Sequence, residues 1–174
     1  KTYHNIEALN TSLLMYGGGS KFNVITIGNG AIDLYDNNII DSLITNGILY
    51  TYGSDTINYL YNKIYGRLGN YSSTYSAFIQ KAIFDSIAFV YGNNRINFLR
   101  IDNSALIQGK NIFGTALLYG DGIINGNNRF DTLTFNFGKT YTLASGDTLT
   151  IISKWNLNGK CSAYLNIEAS LPGT

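Results

Sequence analysis

The sequence is poor in the residues that most other fold classes depend on. Its 174 residues include one proline, one cysteine, one methionine, one tryptophan and one histidine, and only 13% of them carry charge. A single cysteine, Cys161, excludes a disulfide framework and a clustered thiolate metal site; its plainest role is a small buried apolar side chain. The formal net charge is +1, and the Lys and Arg residues are scattered singly. Nucleic-acid binders carry a basic patch or stripe, so no nucleic-acid partner is expected. Apolar residues make up 45% of the chain, yet no run approaches the ~18–20 needed to span a bilayer, so no membrane insertion is expected. Helix formers such as Ala, Glu and Lys are sparse, which argues against a helical fold. His4 has no second histidine to share a metal with, and no Ser/His/Asp set can be built around it. No metal site and no cofactor are expected.

Strand and turn formers fill the space these absences leave. There are 14 tyrosines and 19 glycines, in a background of Asn, Ile and Thr. Three stretches are evenly set: "GNNRINFLRI" from Gly92, "GKNIFGTALL" from Gly109 and "GNNRFDTLTF" from Gly126, with 109 − 92 = 17 and 126 − 109 = 17. Laid over one another, they align Ile96, Phe113 and Phe130, then Leu99, Ala116 and Leu133, then Ile101, Leu118 and Phe135. The last two sets stand two residues apart and share one face of a strand. The first stands three before the second, so both point inward only if the backbone turns between them. There the sequence places Asn97, Gly114 and Asp131, all tolerant of a bend.

A looser form, apolar–corner–any–apolar, starts at Tyr3, Phe22, Ile40, Ile57, Phe84, Ile96, Phe113 and Phe130, with steps of 19, 18, 17, 27, 12, 17 and 17. The 27 and 12 sum to 39, two turns with one motif displaced. A period of 17–20 indicates a repeat architecture. The Leu–Asn signature of leucine-rich repeats is absent, and helical repeats are longer and need helix formers. The expectation is an all-β, right-handed parallel β-helix, the handedness following the usual sense of parallel crossovers. About nine coils at ~4.8 Å each give a rod on the order of 40 Å long. Like residues stack inside it, and the pairs Asn37-Asn38, Asn93-Asn94 and Asn127-Asn128 suit hydrogen-bonded ladders at the corners.

Two stretches resist the pattern. Residues 74–84, "TYSAFIQKAIF", place Ala77, Ile79, Ala82 and Ile83 loosely at helical spacing, or form an inserted loop. The closing stretch alternates apolar and polar residues between "GK", "SGD" and "NGK" turns, which fits either hairpins or further rungs; the upstream coils favour rungs. Residues 1–174 read as a single β-helix module, and the first residues, "KTYHNIEALN", have no initiator Met and no signal-peptide layout, as in a piece of a much longer chain.

Chemistry is harder to place. Asp33 and Asp36 could offer oxygens to a hard cation, but this spacing is common among solvated loop carboxylates. Asp85 and Asp131 fall at equivalent motif places, as structural corners would. A glycosidase-type pair of carboxylates ~5–9 Å apart is not visible in any one coil, so the chain reads as a non-enzyme. The threonine pairs at 132/134, 140/142 and 148/150 repeat at 8, which does not match the coil; β-propensity accounts for them. Tyrosine is the feature most open to a binding role. Tyr50 and Tyr52 in "ILYTYG", and Tyr59, Tyr61 and Tyr65 in "INYLYNKIYG", alternate with other residues, and Tyr16, Tyr35, Tyr71 and Tyr75 add to the same region. One face of each run must be tyrosine-lined. If it is the outer face, it offers amphipathic rings to sugars or to a protein; otherwise the rings fill the core.

The segment Phe130–Thr174, "FDTLTFNFGKTYTLASGDTLTIISKWNLNGKCSAYLNIEASLPGT", resembles a segment in very large secreted proteins of Bacteroidota. Its recurring form is an aromatic-rich strand, "GKTYT", a threonine strand, "NG", a Cys-centred strand and "PGT". Such proteins include cell-surface adhesins that move along gliding cells and leave by type IX secretion. The resemblance implies a non-catalytic adhesin or filament segment at the cell surface, with flanking domains of the same chain as neighbours and a glycan or surface protein as partner. It carries no catalytic residue, and no long tandem adhesin repeat accompanies it here. The alternatives are a polysaccharide-degrading β-helix enzyme and a purely structural spacer.

Overall fold

The computed structural model describes residues 2–16, 19–35, 37–69, 76–160 and 162–170, with residues 2–4 as backbone only. Among them eighteen strands follow in chain order. These are β1 (Thr2–Ala8), β2 (Leu13–Met15), β3 (Lys21–Ile27), β4 (Ala31–Leu34), β5 (Ile39–Thr45) and β6 (Ile48–Thr51). Next come β7 (Thr56–Asn62), β8 (Tyr65–Leu68), β9 (Phe78–Phe84), β10 (Ile87–Gly92), β11 (Arg95–Ile101) and β12 (Ala105–Gly109). The last are β13 (Ile112–Leu118), β14 (Gly122–Asn125), β15 (Arg129–Phe135), β16 (Thr140–Leu143), β17 (Thr150–Leu157) and β18 (Asn166–Ala169). The odd strands form one nine-stranded sheet in chain order, and the even strands form a second. Neighbours in both sheets pair in parallel. Each coil therefore contributes one strand to each sheet, and the described residues form a parallel β-solenoid.

The register puts like residues on like residues. Ile40, Ile57, Ile79, Ile96, Phe113 and Phe130 pair in succession along the first sheet, as do Leu43, Leu60, Ala82, Leu99, Ala116 and Leu133. All lie in the core, where no side chain exposes more than 5% of its surface. Burying each large aliphatic or aromatic side chain is worth about 1.5–3 kcal/mol, and the columns repeat that gain on every rung. The pairing passes from Ile96↔Phe113 to Phe98↔Thr115, omitting Asn97 and Gly114. That break turns the strand so that residues three apart both face inward. The corner is thus a kink within one strand.

Buried amides run beside the core. Asn94 donates its backbone N–H and its amide to Oδ1 of Asn111, each at 3.0 Å. Asn111 does the same to Asn128, at 3.2 and 2.9 Å. Each side-chain amide also reaches the carbonyl three residues back: Tyr91 for Asn94, Gln108 for Asn111 and Asn125 for Asn128. Asn38 and Asp55 make the corresponding contact three coils earlier. The evenly spaced glycines precede these asparagines. Gly109 has φ = +120°, and a Cβ there would lie 2.2 Å from the carbonyl oxygen of Gly92 on the coil before. Only glycine gives both the left-handed turn and the close approach.

Two expectations need correction. Residues 76–84 contain strand β9 and no helix, while residues 70–75 lie outside the described ones. The reason is instructive: Ile79, Ala82 and Phe84 repeat the inward spacing of the kinked strand, and its step of three is also a helical step. The motif start at Phe84 is likewise displaced. Phe84 pairs with Ile101, so the true start is Ile79, with 79 − 57 = 22 and 96 − 79 = 17. Asp85 therefore follows a strand end and is not equivalent to Asp131, which sits at the kink. The closing stretch does form further rungs, with β15, β16, β17 and β18 all pairing in parallel. Tyr141 fills the core there, its hydroxyl donating to the carbonyl of Leu118 at 2.6 Å and accepting the N–H of Asn136 at 3.0 Å.

Candidate binding face

On the even strands alternate side chains point away from the core, and the register stacks them. Tyr16, Tyr35 and Tyr52 occupy one outer column. Their ring centroids are 4.6 and 4.7 Å apart with interplanar angles of 22° and 20°. That spacing is the ~4.8 Å rise of one rung, so the parallel coil itself sets the stack. The strip continues sideways and onward through Tyr50, Tyr65, Phe89 and Tyr91, with successive centroids 5.3–6.0 Å apart. Among the described residues seven rings thus form one band along the second sheet, with Tyr16 exposed, Tyr35, Tyr50, Tyr52, Tyr65 and Phe89 half-buried and Tyr91 buried. In the Tyr16–Tyr35–Tyr52 stack the ring faces are turned to one another, leaving edges and hydroxyls for a partner.

Two charged groups are set into this band. Asp33 pairs with Tyr50, which pairs with Arg67 on the following coil. The Arg67 guanidinium lies 5.1 Å from the centroid of the Tyr91 ring. Oδ1 of Asp33 is buried with no hydrogen-bond partner. Burial pushes the Asp33 carboxyl above its ordinary range. It pushes the phenols of Tyr35 and Tyr52 upward too, with the charge of Asp33 adding to the effect. A carboxyl whose folded pKa exceeds its unfolded value binds its proton more tightly when folded. Stability is then greatest in acid and falls as pH rises from the unfolded value through the folded one. Asp33→Asn is therefore expected to raise the thermal midpoint at pH 7 and to leave it nearly unchanged at pH 3. Thermal melts at the two pH values check this, and an equal shift at both would show that charge is not the cause.

The structure divides the five tyrosines singled out from the sequence. Tyr50, Tyr52 and Tyr65 belong to the band on the second sheet. Tyr59 and Tyr61 lie on β7, on the outer side of the first sheet. There Lys81 Nζ stands 5.6 Å from the Tyr59 ring centroid and 5.8 Å from that of Phe98. Tyr61 donates its hydroxyl to the Asp85 carboxylate, which pushes the phenol pKa upward. Arg100 pairs with Asp102 and covers the Tyr119 ring at 5.6 Å. Tyr71, Tyr75, Asp36 and Cys161 lie outside the described residues, as does the side chain of His4. Among the described residues no three His, Cys, Asp or Glu side chains come together as a metal site would require.

Sequence reasoning missed a hollow of about 330 Å³ on the same face as the tyrosine band. It opens beyond Phe89 and is lined by Ile87, Phe89, Leu106 and Ile123, with Ser104, Asp121, Thr140 and Thr142 among them. Its walls come from four successive coils, so the signal was the alignment of Ile87, Ser104, Asp121 and Thr140. That alignment is readable only after the displaced motif is corrected. Oδ1 of Asp121 accepts the backbone N–H of Thr140 at 2.8 Å, which fixes the carboxylate at the edge of the hollow. In comparison with known proteins, the chain matches no family model, no curated protein and no solved structure.

Proposed function

We propose that the chain is a non-catalytic, extracellular segment of a cell-surface adhesin or filament, and that it binds a glycan or a surface protein through the outer face of its second sheet. The observation that carries the reading is the band of six accessible rings, from Tyr16 to Phe89, running into a mostly apolar hollow along one face. Contiguous, partly exposed aromatic and apolar surface is uncommon on a protein without partners, and tyrosine combines contact area with a polar handle. The solenoid supports this reading because it holds the rings in a rigid row, so little side-chain entropy is lost on binding. The likeness of Phe130–Thr174 to secreted surface adhesins of Bacteroidota points the same way.

The test compares one triple and one double variant with the parent chain on glycan-coated and protein-coated surfaces. Removing Tyr50, Tyr52 and Tyr65 as serines should weaken adhesion about tenfold or more, the loss of roughly 1.4 kcal/mol at an aromatic anchor, while Tyr59→Ser with Tyr61→Ser should change it less than about twofold. Circular dichroism confirms that both remain folded. Undiminished adhesion after the triple change would sink the reading in favour of a structural spacer. Release of reducing or unsaturated ends from a polysaccharide panel would replace it with the enzyme.

A further inference from the structure

We propose that the hollow beyond Phe89 is a subsite for one uncharged sugar ring of a neutral glycan. The inference rests on the adhesive reading and narrows its ligand. At about 330 Å³ the hollow lies at the lower end of the ~300–1,000 Å³ range of small-ligand sites, which suits a single ring.

Its lining is mostly apolar with a smaller polar margin. Ile87, Phe89, Leu106 and Ile123 supply apolar surface, while Ser104, Asp121, Thr140 and Thr142 supply hydroxyls and a carboxylate. A pyranose has the matching character, with C–H groups on its faces and hydroxyls around its rim. A hydrocarbon would leave the polar groups without use. Asp121 is held by the Thr140 N–H through Oδ1, and its backbone carbonyl accepts the N–H of Ala105 at 2.9 Å. The carboxylate is thus fixed in place, and its other oxygen can accept a sugar hydroxyl in a charge-assisted bond. Among the described residues Asp121 is the one charged side chain in the lining. It repels uronates and sulfated sugars, and no described Lys or Arg lines the hollow to offset that. The site therefore favours neutral units.

Position adds a second argument. The aromatic band reaches Phe89 through Tyr50 and Tyr65 on the two coils before it, and the residue paired with Phe89 on the next coil is Leu106. A ring seated in the hollow would continue the band by one more member. A glycan lying along the rod could then meet the hollow with one residue and the tyrosine hydroxyls with its neighbours.

The experiment is calorimetric titration of the chain with neutral oligosaccharides of glucose, galactose and mannose, beside uronate and sulfated series. The expected result is binding of a neutral series at about 1 mM or tighter, weakened about tenfold in Asp121→Asn and abolished in Thr142→Trp, which fills the hollow. Preference for acidic sugars, or equal affinity in both variants, overturns the proposal. So does binding of a basic peptide in place of sugars. If no sugar binds but Tyr-dependent adhesion to protein-coated surfaces persists, the hollow proposal fails and the adhesive reading stands. If adhesion is also insensitive to Tyr50, Tyr52 and Tyr65, both fail.

Discussion

Asn111→Ala is expected to lower the stability of the solenoid by about 3–5 kcal/mol, since two or three buried polar groups lose their partners at about 1–3 kcal/mol each. Asn111 is fully buried. Its Oδ1 accepts both the backbone N–H and the side-chain amide of Asn94, and its own amide serves Gln108 O at 3.1 Å and Asn128 Oδ1 at 2.9 Å. The vacated groups on Asn94 and Asn128 lie in the buried column. The exposed neighbour Asn93 serves as the control, because its substitution by alanine removes no buried bond. Urea denaturation of both variants measures the difference. The direction of the ladder gives a finer expectation: each asparagine accepts from the coil before and donates to the coil after. Asn111→Asp should keep the acceptor but set a carboxylate against Gln108 O and Asn128 Oδ1. Asp55 is tolerated in the same column because the next residue there is Ala77, which brings no side-chain oxygen toward it. If Asn93 and Asn111 prove equally replaceable, the ladder is not what holds these coils in register.

Much of this architecture was legible because a solenoid writes its contacts into its spacing. Ile96, Phe113 and Phe130 are 17 residues apart and pair in space, so the repeat could be read as a column. The kink was legible too, since two inward residues three apart require one. The longer coil before Ile79 hid the true start of its motif, and its step of three imitated a helix. The division of the tyrosines could not be read at all. Each coil supplies two strands with two outer faces, and alternation within "INYLYNKIYG" does not say that Tyr61 and Tyr65 fall on different sheets. The hollow is more distant still from the sequence, because it depends on four coils being aligned at once.

Phe113→Ala carries the other large expectation, a loss of about 3–5 kcal/mol typical of removing a buried ring. Phe113 is fully buried and stacks on Phe130 with centroids 4.6 Å apart and planes 14° from parallel. On its other side it meets Ile96 through the paired strands. Alanine would open a cavity between two coils whose spacing is fixed by backbone hydrogen bonds, so the walls cannot close on it. Phe113→Leu keeps most of the volume and should cost less than about 1.5 kcal/mol. Combining Phe113→Ala with Phe130→Ala tests the stack itself, with an expected coupling of about 0.5–1.5 kcal/mol beyond area burial. Because each coil touches only its neighbours, the damage should stay local. Hydrogen exchange should accelerate first in β11, β13 and β15, while β3 and β5 keep their protection. Uniform loss of protection along the rod, or strict additivity of the two ring deletions, would mean that the side chains do not pile in independent columns, and the account of the core built on them would fall.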